Sequence, residues 1–154
     1  MDNFSLSDVY LVGNELLDAQ HKVILSYMAK VHTYLLAEKK GPDLFELADR
    51  LDVCCKLHFL DEEKVMEEMD FPGTVNHKAQ HALFVTHLEN FMGRYEMLNS
   101  TQNIDELMFL KGWFLEHIEA FDRKYVEYKK QSDKAALESG TVIHPSTSLQ
   151  KSGH

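Results

Sequence analysis

Apolar residues along this chain recur every three or four positions, not every second one. Ile24, Met28, Val31 and Leu35 share one side of a helix. Leu47, Leu51, Cys55, Val65 and Met69 form a second stripe, with His58 and Glu62 inside it. Phe84, Leu88, Phe91 and Tyr95 form a third, entered through His77 and His81. Leu107, Leu110, Phe114, Phe121, Tyr125 and Tyr128 form a fourth, with His117 among them. This is the period of amphipathic helices, and no useful length alternates with the period of a strand.

Turn chemistry separates the stripes. Asp18 suits the N-cap of the first helix. Gly41 suits that helix's end and Pro42 the first turn of the next. Asp70, Phe71, Pro72 and Gly73 break the second stripe, and Thr74 suits the cap of the third helix. The run from Asn99 to Asn103 reads as a polar turn. Four helices of roughly 20–28 residues on short connections predict an all-α, antiparallel up-down-up-down four-helix bundle. Residues 1–17 read as an N-terminal arm of a domain covering 1–131. From about Gln131 the composition shifts to Ser, Thr, Gly and Lys, so 132–154 reads as a loosely held tail.

Composition narrows the function classes. The 154 residues carry a formal net charge of -9, which repels phosphate backbones and argues against a nucleic-acid partner. No apolar run approaches the ~20 residues of a membrane helix. The N-terminus has no basic segment leading into an apolar one, so it does not read as a secretory signal. Cys54 and Cys55 are adjacent and cannot form a disulfide framework, which fits a reducing, cytoplasmic setting. Both read as small buried apolar residues.

The chemistry lies inside the stripes. His21, His58, Glu62, His77, His81, His117 and Asp122 all fall on or beside inward faces. Each buried imidazole without a partner would cost ~1–3 kcal/mol, and a shared metal centre would relieve them together. Five imidazoles and two carboxylates suit a first-row transition metal such as iron, not magnesium or calcium. His58 and Glu62 are four apart, as are His77 and His81, so each pair projects from one face. His117 and Asp122 are five apart, about 140° on an ideal helix, so both can face one centre only if the helix is locally loosened, as by a single π-bulge, or if the aspartate bridges from the side. Taken singly, either four-apart pair is better explained as surface residues. The joint pattern across four helices is not. His32 is ~16 Å along the helix from His21, too far to share a centre. His87 falls off its helix's inward face, and His144 and His154 lie in the expected tail.

These segments resemble the hemerythrin family, in particular its single-domain bacterial members. The matching stretches are VGNELLDAQHK, HFLDEEKVMEEMDFPG, HKAQH and WFLEHIEAFDRKY, which together span residues 12–125. The resemblance implies reversible dioxygen binding at a non-haem centre of two iron ions, oxo- or hydroxo-bridged. It implies that His77, His81 and His117 hold one iron, that His21 and His58 hold the other, and that Glu62 and Asp122 bridge both. The second iron would then keep an open position for dioxygen. Trp113, Phe114 and Ile118 would line the oxygen pocket; at Phe114 the family usually has leucine. The alternatives are an oxygen or redox sensor acting on a protein partner, and a di-iron enzyme such as a weak peroxidase or nitric-oxide scavenger. No second acid–base constellation supports an enzyme.

Overall fold

A computed structural model describes residues 3–140. Helix α1 runs Glu15–Leu36, α2 Pro42–Glu68, α3 Thr74–Arg94 and α4 Ser100–His117. A π-helical turn, Ile118–Asp122, joins α4 directly to α5, Arg123–Glu138, so these three segments make one long fourth rod. Among the described residues there is no strand. Connections at 37–41, 69–73 and 95–99 are short, so sequential helices are antiparallel neighbours. Contacts between α1 and α4 close the ring, which completes the expected up-down-up-down bundle.

The helix starts differ from those expected. Asn14, not Asp18, caps α1, its side chain accepting from the Leu17 amide at 3.1 Å. Asp18 sits in the first turn and accepts instead from the Val12 amide at 2.9 Å, which pins the arm. Thr74 is the first residue of α3 and donates its hydroxyl to the Phe71 carbonyl, while Gly73 holds the cap position. The polar run at Asn99–Asn103 is the start of α4 itself. Asn99 and Gln102 form a reciprocal capping box, and Asn103 is buried, donating to the Tyr95 carbonyl at 2.7 Å. At each start several polar groups lie within a few residues of the same helix terminus, and hydrogen bonds inside that local stretch set which residue caps.

Helix ends differ too. Glu38 (φ 52) takes the left-handed position after α1, and Gly41 (φ 113) precedes α2 as its cap, not the end of α1. Val65 is 37% exposed and Met66 takes the inward place, since a 3.6 period drifts from a strict heptad. The composition change near Gln131 does not end the helix: α5 continues to Glu138, with side chains from 131 to 140 exposed. Residues 141–154, with His144 and His154, lie outside the described residues.

The bundle interior has two ends. At one, Leu35, Leu44, Leu51, Phe91, Leu107 and Leu110 pack as hydrocarbon. At the other stand the seven histidines and carboxylates, with Phe59, Phe84 and Phe114 between the two regions. The arm covers α1 from outside: Phe4 is buried with its ring 5.1 Å from His32, and Arg123 donates to the Val9 carbonyl.

Candidate metal centre

Antiparallel packing brings the start of α1, the end of α2, the start of α3 and the π turn to one level of the bundle. His21, His58, Glu62, His77, His81, His117 and Asp122 are all buried there. They form two overlapping groups. Glu62, His77, His81, His117 and Asp122 make one, and His21, His58, Glu62 and Asp122 make the other, each with donor atoms within 4.8 Å of one another. Both carboxylates belong to both groups.

The oxygens divide between the groups. Glu62 Oε1 lies 2.7 Å from His58 Nε2 and 3.7 Å from His21 Nε2. Its Oε2 lies 3.3 Å from His77 Nε2 and 3.2 Å from His81 Nε2. Asp122 Oδ2 lies 3.1 Å from His21 Nε2, while its Oδ1 is 3.1 Å from His77 Nε2 and 3.0 Å from His117 Nε2. The π turn is what places Asp122 here. It adds one residue to the turn after His117, so Ile118 and Asp122 face inward and Phe121 is only half-buried.

The atoms converge without pairing. Glu62 Oε1 and Oε2, Asp122 Oδ1 and Oδ2, and Nε2 of His21 and His58 make no hydrogen bond despite their closeness. Nε2 of His117 faces Nε2 of His77 at 3.0 Å and of His81 at 3.1 Å. Nitrogen and oxygen atoms converging this closely are what a cation cradle requires and what a folded core ordinarily avoids. The donor set of nitrogen and oxygen fits iron.

Electrostatics agree. Burial alone would lower the His21 and His77 pKa values, but the facing Asp122 and Glu62 carboxylates override it and raise both to about 9. Burial lowers that of His117, with the neighbouring His81 and His77 adding to the effect. Burial would raise the Glu62 carboxyl, yet charge on His58 and contacts with His21, His58 and His77 hold it well below its ordinary value. Asp122 is likewise held low: burial and Glu62 push up, and His117, His21 and His77 prevail. Both carboxylates therefore stay anionic, and His21 and His77 hold protons that a metal would displace. Tyr125, its ring 5.6 Å from that of His77, is pushed up by burial and by the two carboxylates.

Aromatic rings pack the cluster. Phe59 stacks on His81 at 4.0 Å, and Trp113 and Phe121 both stack on His117, at 4.9 and 5.3 Å and 9° from parallel. Phe114 presents to the other group, its ring centroid 5.6 Å from His21 and 6.4 Å from His58. Of the three expected pocket residues, Phe114 thus meets the two-histidine group, Trp113 the three-histidine group, and Ile118 is buried at the head of the π turn. His32 and exposed His87 stand apart, as expected. Cys55 is buried, but Cys54 is only half-buried and faces an apolar groove of about 270 Å³ beside Gln20, Val23, Leu57 and His58.

Two residues outside the stripes complete the site. His58 Nδ1 lies 2.7 Å from Gln20 Oε1, and His81 Nδ1 lies 2.9 Å from Glu63 Oε1. Reasoning from stripes missed both, since each borders a buried residue from a more exposed position. The available signal was chemical: a histidine that ligates through Nε2 needs an acceptor for its Nδ1–H, and polar residues flanking the stripe are where to look.

The family model of the hemerythrin HHE cation binding domain matches residues 12–128. A myohemerythrin of Riftia pachyptila is 30% identical over 118 residues, covering 77% of this chain and 87% of that protein. A bacteriohemerythrin of Stenotrophomonas maltophilia is 26% identical, covering 77% and 76%. A bacteriohemerythrin of Clostridium acetobutylicum is 23% identical, covering 80% and 99%. No solved structure matches the chain.

Proposed function

We propose that this chain, which belongs to the hemerythrin family, binds dioxygen reversibly at a centre of two non-haem iron ions. His77, His81 and His117 would hold one ion and His21 and His58 the other, with Glu62 and Asp122 contributing to both. The observation that carries this reading is the division of oxygens: each carboxylate turns one oxygen to each group. When bound, two ferrous ions supply the two electrons that reversible dioxygen binding needs.

The chain's own residues set the conditions. The two-histidine group has one imidazole fewer, so an ion held there would have fewer protein ligands and could take dioxygen. Phe114, fully buried, stands against both imidazoles of that group and excludes water from it. Five neutral imidazoles with two carboxylates stabilise high-valent iron less than the carboxylate-rich sets of di-iron oxygenases, so binding is favoured over turnover. Among the described residues no helix is long and apolar enough to cross a membrane. Both cysteines are free, which supports a reducing, cytoplasmic setting.

Metal analysis joined to absorption spectra tests this reading. Two irons per chain are expected. Reduced protein should gain ligand-to-metal charge-transfer absorption with oxygen and lose it under vacuum. One metal per chain, or immediate irreversible oxidation, would count against the proposal.

A further inference from the structure

The imidazoles of the two groups are supported from outside by unlike residues. His81 Nδ1–H donates to Glu63 Oε1, a carboxylate, at 2.9 Å. The nearest cation, Lys78, lies 3.9 Å from Glu63 Oε2 and is engaged by Glu67 at 2.7 Å, so Glu63 keeps most of its negative charge. His58 Nδ1–H donates to Gln20 Oε1, a neutral amide, at 2.7 Å. Asp61 fixes that amide's orientation: Gln20 Nε2 donates to Asp61 Oδ2 at 3.1 Å, which leaves only the oxygen for His58. The negative charge on this side is therefore one amide removed from the ring. The amide contact is the shorter of the two, so charge and not distance distinguishes them.

We propose that Glu63 and Gln20 are positioning residues that make the two groups electronically unequal: Glu63 renders His81 a stronger donor to the three-histidine ion, and Gln20 keeps His58 an ordinary neutral donor to the other. A ring N–H held by a carboxylate pushes electron density to the opposite nitrogen, which raises ligand basicity. Stronger donation favours the ferric state. The ion at the three-histidine group is thus held towards the oxidised side, and the ion proposed to meet dioxygen is left easier to reduce. Phe59, stacked on His81 within 14° of parallel, keeps that ring in the plane that Glu63 requires. This inference rests on the two-iron reading above.

Opposite charge changes at the two positions provide the test. Iron-loaded Glu63→Gln and Gln20→Glu variants, and the double variant, would be titrated spectroelectrochemically, with iron loss to a chelator followed in parallel. Glu63→Gln should shift the ferrous–ferric equilibrium towards ferrous by about tenfold and speed iron loss by about 10–100-fold. Gln20→Glu should shift the same equilibrium towards ferric. The double variant should return close to the parent, and Glu63→Asp should restore part of the parent's behaviour. Both residues border solvent, and circular dichroism would confirm that each variant folds. Shifts in the same direction, or bound iron with an unmoved equilibrium, would overturn the assignment. A parent that does not bind two irons would overturn the assignment and the two-iron reading together.

Discussion

At the end of the bundle distant from the cluster, Leu35, Leu44, Leu51, Phe91, Leu107 and Leu110 leave water without needing any partner but one another. Even the buried amide of Asn103 there is anchored to the Tyr95 carbonyl. The cluster end uses the same four helices and reaches a different balance. Among the described residues, every orphaned buried side-chain polar atom except Asp52 Oδ1 and Asn103 Oδ1 belongs to the cluster. Each such group, left unpaired, costs ~1–3 kcal/mol. One end therefore stabilises the fold through apolar contacts alone, while the other gathers atoms that a cation would satisfy. Binding energy there adds to folding energy.

The largest expected effect comes from breaking what the two histidine groups share. Glu62→Ala removes an oxygen from each group, so both irons should be lost, as read by metal analysis. Full iron and unchanged spectra in this variant would show that Glu62 spans nothing. Leu51→Ala, at the hydrocarbon end, should do the reverse. It should destabilise the fold by about 2–5 kcal/mol in denaturant unfolding while leaving iron content intact. If it released iron as readily as Glu62→Ala, the two ends would not be separable.

How much of this contrast was legible in the sequence differs between the ends. The inward stripes of α1 and α3 follow from periodicity, because apolar burial needs only a face. The seven clustered residues were legible for the same reason, and the five-residue step from His117 to Asp122 left a loosened helix or an aspartate reaching from the side; the structure has the loosened helix, as a π turn. Helix starts were not legible. Asp18, Thr74 and Asn99 each stand within a few residues of other polar groups, and local hydrogen bonds that the stripe pattern does not rank decide which of them caps. Gln20 and Glu63 escaped because a polar residue at a helix border looks solvated until its acceptor role towards a particular ring is seen.

Acidity sharpens the comparison more gently. In the metal-free chain, His21 and His77 have pKa values raised from 6.5 to about 9 by the facing carboxylates. A folded-state value above the unfolded one stabilises the fold fully below pH 6.5, and that contribution fades as pH rises towards 9. The metal-free chain should therefore lose thermal stability between pH 6.5 and 9, and the iron-loaded chain should not. Melting curves of both forms across that window would check it. Iron affinity should rise over the same window, because the protons that oppose binding leave. Equal pH dependence in both forms would mean that the cluster is not where the protons are held.

The smallest effect should come at the border between the ends. Phe114 touches His21 and His58 but offers no ligand atom. Phe114→Leu should keep both irons and change the autoxidation rate severalfold, as measured by stopped-flow and slow spectral decay. An unchanged rate would assign Phe114 to packing alone.

The π turn has a consequence for motion. By carrying Phe121 off the hydrocarbon stripe it lays that ring parallel to His117, where Trp113 lies parallel as well. An imidazole hemmed by two flat rings cannot swing about its χ angles without displacing one of them. His117 should therefore be slow to let go of whatever it holds, and release from the centre should begin at the histidines that lack such flanking plates.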